Sequence, residues 1–178
     1  MIKRRMFLAG LCIAASSGVM AEPTVNFKGT LQVQPCELAP GRDGENVEVD
    51  FGTIPEKTFY SGYSPRTGLQ PFHILLTECD PSLTKEVRIT FTGAEDSEQP
   101  GLLALTSASG VAHIAVGLQT FTGTDLPLNK QTPGYALTAG STQLSFKAYI
   151  QASDEGVSHQ SVGRGTFRAV STFELEYP

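Results

Sequence analysis

The chain has 178 residues, of which 18 are acidic and 13 basic, so its formal net charge is −5. This length fits a single domain. The acidic balance leaves no basic surface with which to hold a polyanion, so the composition excludes nucleic acid and anionic lipid as partners.

The N-terminus has the features of a secretory signal peptide. Three basic residues at positions 3–5 precede an apolar stretch over positions 6–20, which ends at the small residue Ala21. This pattern predicts cleavage before Glu22 and removal of residues 1–21. A membrane anchor is the alternative, but the stretch is shorter than the roughly 20 residues that a spanning helix needs. We therefore predict export to the periplasm and no insertion into a lipid bilayer.

Cleavage would leave an acidic mature chain with an even number of cysteines. The removed segment contains three of the 13 basic residues and none of the 18 acidic ones, so the net charge moves from −5 to −8. Cys12 leaves with it, and the remaining Cys36 and Cys79, in an oxidising compartment, predict a disulfide. A zinc site is the weaker interpretation, because two isolated cysteines without a CxxC pair lack zinc-ligand spacing.

Apolar residues recur at every second position in short runs separated by Gly, Pro, Asn, Asp and Ser, which is typical of an all-β protein. The runs predict strands at 25–33, 47–51, 72–76, 87–91, 114–118, 144–150 and 167–177. Short strands with turn-rich connections predict an immunoglobulin-like β-sandwich. The segments 43–46, 95–101 and 153–159 are predicted to be polar loops.

The C-terminal run alternates without a slip from Gly165 to the end of the sequence. Its even positions are mostly polar, and its odd positions share one face that is expected to meet the core: Phe167, Ala169, Ser171, Phe173, Leu175 and Tyr177. Since the sequence stops one residue later, we expect no following hairpin partner. An edge strand with this many apolar side chains is a pairing hazard in a soluble monomer.

A second alternating run follows the predicted cleavage site. Val25, Phe27, Gly29 and Leu31 alternate with polar residues, so this segment is predicted to be a strand. It could be the first strand of its own sandwich, or it could pair with another molecule, and the pattern alone leaves both open.

In order and spacing, these features resemble the pilins of type 1 and P fimbriae, most closely their minor or adaptor subunits. The resemblance covers essentially the whole mature chain. It includes the N-terminal extension with its central Gly29, Cys36 about fifteen residues into the mature chain, and the strand that holds Cys79. It continues through the segments 91–97 and 102–105 to the C-terminal, glycine-led strand with its penultimate Tyr177.

The resemblance implies an incomplete immunoglobulin-like β-sandwich that lacks its C-terminal seventh strand and is completed by donor-strand exchange. The chain would comprise a signal peptide (1–21), a donor-strand extension (22–33) and a pilin domain (34–178). The implied donor strand is Val25, Phe27, Gly29 and Leu31. The implied acceptor groove and chaperone-binding strand consist of Gly165, Phe167, Ala169, Phe173, Leu175, Tyr177 and Pro178.

The implied partners are a periplasmic fimbrial chaperone, an outer-membrane usher and neighbouring pilin subunits, and the product is a fimbria on the bacterial cell surface. Gly29 would lie over a shallow part of the groove, although a turn or bulge is its structural alternative. Tyr177 would serve chaperone recognition and closure of the sandwich. The chaperone would also hold the terminal carboxylate, here that of Pro178.

An enzymatic function is not indicated. His73, His113 and His159 are scattered, and neither a nucleophile elbow nor a zinc-protease or phosphate-binding motif occurs. We therefore predict no catalytic residue and no cofactor. The acidic residues at 95, 96 and 98 could form a cation site, but a calcium ion needs six or more oxygen ligands and a solvated acidic loop is commoner. We therefore predict no metal.

The alternative function is a single-domain adhesive pilin with a receptor-binding surface. Fimbrial adhesins of this family generally carry a separate lectin domain before the pilin domain, whereas here a donor-type extension follows the signal segment. The motifs favour a minor or adaptor subunit, and the presence of a donor run argues against a terminator. A major rod pilin stays open.

Overall fold

The computed structural model describes residues 33–62 and 64–178. The predicted signal segment and the predicted donor run at 25–31 lie outside the described residues. Within them the strands are β1 (Glu37–Leu38), β2 (Gln70–Cys79), β3 (Glu86–Thr92), β4 (Ser107–Ser109), β5 (Ile114–Thr120), β6 (Tyr135–Ala136), β7 (Gly140–Ala152), β8 (Thr166–Arg168) and β9 (Thr172–Glu176). One short α-helix, α1 (Asp154–Ser158), and two 3-10 turns, Gly41–Asp43 and Glu56–Tyr60, complete the order.

The strands pair antiparallel in three sheets. A four-stranded sheet has the order β1-β2-β7-β5, a three-stranded sheet the order β6-β3-β9, and β4 pairs with β8. The predicted strands at 72–76, 87–91, 114–118 and 144–150 lie within β2, β3, β5 and β7. The mostly β, antiparallel architecture predicted from the sequence is therefore confirmed.

The core is formed by side chains that alternate along the two longest strands. Phe72 on β2 lies opposite Phe146 on β7, and their rings stack with centroids 5.4 Å apart. Phe91 on β3 meets Phe146 edge-on at 5.2 Å, so strands of two different sheets share one core. Each fully buried side chain of this size contributes roughly 1.5–3 kcal/mol to folding, and Phe146 has no exposed surface.

Cys36 and Cys79 form a disulfide, as predicted. Both cysteines are buried, and the bond ties the residue before β1 to the last residue of β2, where Glu37 pairs with Thr77. Closing a loop with the observed separation of 43 residues is worth about 4 kcal/mol in the chain-entropy account.

The prediction of one continuous strand at 167–177 is wrong, because the run is divided into β8 and β9. β8 pairs with β4 and β9 pairs with β3. Between them, the amide of Val170 donates to the hydroxyl of Thr106 at 3.0 Å instead of to a main-chain carbonyl. A side chain thus replaces the ladder partner, which interrupts the strand although the inward and outward alternation continues.

The segment 47–51 was predicted to be a strand, but it forms no ladder with any described residue. Its alternation is nevertheless real: Val47, Val49 and Phe51 are half-buried and pack against the core, while Glu48 and Asp50 are exposed. The pattern correctly identified the buried face, but no described strand lies beside this backbone to pair with it.

The predicted loop at 153–159 contains the short helix α1, so that prediction is corrected. The hydroxyl of Ser153 accepts a hydrogen bond from the amide of Gly156 at 3.1 Å, which is the usual N-terminal capping interaction. Asp154 and Glu155 occupy the first turn, where negative charge is favourable. Among the described residues, no helix has the length and apolar character needed to cross a membrane.

Candidate functional site

The face formed by the C-terminal strands is only half covered. Phe173 and Leu175 on β9 lie opposite Phe91 and Ile89 on β3 and pack against the same core. The two β3 residues are 6% and 0% exposed, whereas their β9 partners remain half-buried. β3 lies in the middle of its sheet and β9 at an edge, so the inward-facing side chains of β9 keep part of their surface accessible.

The backbone of β9 is open along one side. The sheet order β6-β3-β9 places β9 at an edge, and no described strand lies beyond it. An edge of this kind presents a row of unpaired N–H and C=O groups, which can pair with an added strand. Of the predicted groove residues, Phe167, Ala169 and Tyr177 also lie on the half-buried face, whereas Gly165 is exposed.

A second set of half-buried side chains packs against the same core: Val47, Val49 and Phe51. Sequence reasoning predicted this segment as a strand but did not assign it to the site. The signal that could have identified it is its alternation without a hairpin partner, the same signal that singled out the C-terminal run. The half-buried face of the C-terminal strands is named the open face below.

Gly165 begins the C-terminal strands because no side chain fits there. A methyl group at this position would overlap the carbonyl oxygen of Ser109, the last residue of β4. A methyl group at Gly163 would similarly overlap the carbonyl oxygen of Gly110. These glycines allow the two backbones to approach closely, which fixes the start of β8 against β4.

The C-terminal end of the open face is anchored at one point. The hydroxyl of Thr84 donates to the main-chain oxygen of Pro178 at 2.8 Å. Tyr177 is half-buried, and burial raises the pKa of its hydroxyl, which has no hydrogen-bond partner among the described residues. The roles predicted for these two residues in chaperone recognition stay predictions.

The three histidines do not form a common site. His73 lies on the exposed face of β2 with its Nδ1 3.0 Å from the hydroxyl of Ser145, and His113 pairs with Glu98 at 3.0 Å. His159 follows α1 and lies 3.2 Å from Glu155. Within residues 33–62 and 64–178, no cluster of three or more metal-ligating side chains occurs.

The acidic loop at 95–98 is held by its own hydrogen bonds. A carboxylate oxygen of Asp96 accepts from the amides of Glu98 and Gln99 at 3.0 and 3.1 Å. Glu95 accepts from the Asn129 side chain and the Gly101 amide, and these bonds lower its pKa. The carboxylates thus close the turn, which favours the predicted solvated loop over a cation site.

Comparison with known proteins identifies relatives along the whole described chain. Residues 25–178 match the family described as fimbrial protein. The chain is 34% identical over 176 residues to the uncharacterized fimbrial-like protein YfcP of Escherichia coli K12, covering 97% of this chain and 93% of the relative. It is 31% identical to the fimbrial adapter PapK of Escherichia coli, with 94% of each chain covered.

Further relatives include both a major fimbria protein and a putative minor fimbrial subunit. Among solved structures, the P pilus rod subunit PapA superposes with a TM-score of 0.66 at 22% identity, covering 82% of this chain and all of that one. The similarity to PapA concerns the fold.

Proposed function

The chain belongs to the chaperone/usher fimbrial protein family and is a subunit of a cell-surface fimbria, and we propose that it polymerises by donor-strand exchange. Family membership confirms the prediction of a structural, non-enzymatic protein. In this proposal the domain is an immunoglobulin-like sandwich that lacks its seventh strand, and a strand from a neighbouring subunit completes it.

The observation that carries the proposal is the contrast between β3 and β9. Ile89 on β3 is fully buried. Its partner on β9, Leu175, faces the same way but is only half-buried. A strand added beside β9 would form main-chain hydrogen bonds along the free edge and cover the half-buried side chains. Completion of the open face is therefore the interaction that this domain lacks.

Residues 22–33 are the proposed donor for the next subunit, after removal of residues 1–21. Burying Val25, Phe27 and Leu31 in a neighbour's open face would contribute on the order of 5–9 kcal/mol before ordering costs. This is comparable to the stability of a whole domain, so strand exchange could hold subunits together without a covalent link. The family match begins at residue 25 and thus includes the donor run.

Before assembly, the open face would be covered by a periplasmic chaperone, with the usher as the site of exchange. Expression of residues 22–178 alone should give aggregated or degraded protein, whereas co-expression with the cognate chaperone should give a soluble heterodimer. Truncation before Phe173 should abolish the heterodimer. A Val170→Asp variant, altered at a position that is 56% exposed, is the matched control and should retain it.

Recovery of a stable, partner-free monomer that melts cooperatively would contradict the proposal, because a domain with a missing strand should not be stable alone. We also infer a minor or adaptor position from the sequence motifs and from the similarity to an adapter. Immunogold labelling should then show one or a few copies per fimbria, and labelling along the entire rod would overturn that position.

A further inference from the structure

An open cleft of about 350 Å³ lies where β5 ends. It is bounded by the turn after β5, by Tyr135 on β6 and by the exposed face of β7. β6 and β9 flank β3 on opposite edges, so this cleft is on the other side of β3 from the open face. Filling the open face with a donor strand would leave the cleft accessible, and its volume falls in the range of small-ligand sites.

The lining of the cleft is neutral and rich in hydroxyl groups. No carboxylate, ammonium or guanidinium group is among its described lining residues, which are mainly Phe121, Thr122, Thr124, Tyr135, Gln143 and Ser145. A purely apolar ligand would leave hydroxyl and amide groups without partners, which is costly on burial.

Phe121 supplies an apolar platform at the rim. Its side chain is 55% exposed, which is unusual for a large aromatic residue. The ammonium of Lys147 lies 4.5 Å from the ring centroid and donates to the main-chain oxygen of Phe121 at 2.7 Å. These two contacts fix the position of the ring, while most of its surface remains available to a ligand.

The polar groups of the floor are also held in place. The Nδ1 of His73 lies 3.0 Å from the hydroxyl of Ser145 and 3.1 Å from the amide nitrogen of Gln143, so both side chains are oriented by one histidine. Tyr135 has a buried hydroxyl with no hydrogen-bond partner among the described residues. This hydroxyl has less than 1 Å² of accessible surface, so Tyr135 can offer a ligand part of its ring but not its hydroxyl.

We propose that this cleft binds a neutral saccharide, with an apolar face of one pyranose ring against Phe121 and its hydroxyl groups paired with Ser145 and Gln143. A sugar ring combines hydroxyl groups that both donate and accept with patches of C–H surface, which is the combination that the lining offers. The site goes beyond the structural role of the subunit. Its display on the cell surface rests on the proposed assembly into a fimbria.

The test uses purified fimbriae that contain the subunit, probed by saturation-transfer difference NMR with methyl glycosides of glucose, galactose, mannose, N-acetylglucosamine and N-acetylgalactosamine. A sialoside serves as the anionic probe. At least one neutral glycoside should bind, and the Phe121→Ser variant should weaken that binding at least tenfold. Leu69→Ser changes another large apolar residue that is 44% exposed, and this matched control should leave binding unchanged.

Ser145→Ala separates binding from folding, because it removes only an exposed hydroxyl of the cleft lining. It should reduce glycoside affinity severalfold while the yield of fimbriae is unchanged. Absence of binding by every neutral glycoside would overturn the saccharide site, as would binding that neither variant weakens, or equal binding of the sialoside. Electron microscopy of each variant shows whether fimbriae assemble, so a failure of assembly is distinguished from a failure of binding.

Discussion

Tyr149 on β7 lies directly opposite Gly117 on β5, and its ring occupies the space that a side chain at Gly117 would need. The guanidinium of Arg66 lies 4.4 Å from the centre of the same ring. Tyr149 is only 2% exposed, although it points away from the main core. The ring of Tyr149 therefore fills the space beside Gly117 where a side chain would lie, and the guanidinium of Arg66 covers the ring.

This pairing predicts that Gly117→Ala destabilises the domain by about 1–3 kcal/mol, the usual cost of overpacking a filled site. The measurement is urea unfolding of the subunit completed with a donor peptide. Gly68→Ala is the matched control, because a methyl group there would meet no atom within 4 Å. In a Tyr149→Ala background the cost of Gly117→Ala should shrink, and an unchanged cost would show that the ring is not its cause.

The disulfide makes a second prediction. Cys36→Ser should lower the periplasmic yield and destabilise the fold by roughly 2–5 kcal/mol. The double variant Cys36→Ser, Cys79→Ser should behave similarly if the lost bond, rather than the unpaired thiol of Cys79, is the cause. Mass mapping under non-reducing conditions checks the premise, and two free thiols in wild-type periplasmic material would refute it.

A third prediction concerns pH. Hydrogen bonds from the Asn129 side chain and the Gly101 amide hold the pKa of Glu95 below its ordinary value. The folded loop therefore prefers the ionised carboxylate, so its stabilisation is present above the ordinary pKa and is lost as the pH falls through the depressed one. Asn129→Gly should raise the pKa of Glu95, as measured by carbon-13 NMR titration.

Glycine is the suitable replacement because residue 129 has a positive φ of 57°, which glycine adopts without strain. The matched comparison is Glu95→Gln, in which the pH dependence of the loop at 95–101 should disappear. An unshifted Glu95 titration in Asn129→Gly would show that the amide does not hold the carboxylate.

The sequence predicted the four longest strands because their apolar side chains alternate with polar ones along enough residues to show the period. Those parts of β2, β3, β5 and β7 needed no knowledge of distant residues. The short strands β1, β4 and β6 were missed because two or three residues carry no periodicity, and their partners define them. The sequence Ser153-Asp154-Glu155 is a capping signal for a helix start, which the prediction of a polar loop overlooked.

The segment 47–51 and the C-terminal run show which structural features an alternating pattern predicts and which it does not. Alternation at 47–51 and in the C-terminal run correctly indicated which side chains turn inward, because alternation follows from burial. It did not report whether a ladder partner exists, or that the hydroxyl of Thr106 divides β8 from β9. The cleft beside Phe121 was also missed, since its lining comes from separate parts of the sequence.

The last prediction tests residues 22–31 as a strand used by another molecule. If they are a donor, deleting them should leave folding and chaperone binding intact, because the segment contributes nothing to its own domain. Assembly should fail in one direction only: the truncated subunit should still accept a synthetic donor peptide but should no longer complete its neighbour. The measurement is strand exchange from a chaperone-bound acceptor, followed by native gel electrophoresis and mass spectrometry.

Point substitutions in the donor run sharpen this test. Phe27→Asp should block donation, because an unpaired carboxylate in an apolar groove costs several kcal/mol. Lys28→Ser changes the neighbouring position on the polar face of the run and should exchange at the wild-type rate. Gly29→Leu should slow exchange if the acceptor is shallow at that point. If the deletion instead unfolds the subunit and donor peptides have no effect, the segment is an intrinsic first strand and donor-strand exchange is wrong for this chain.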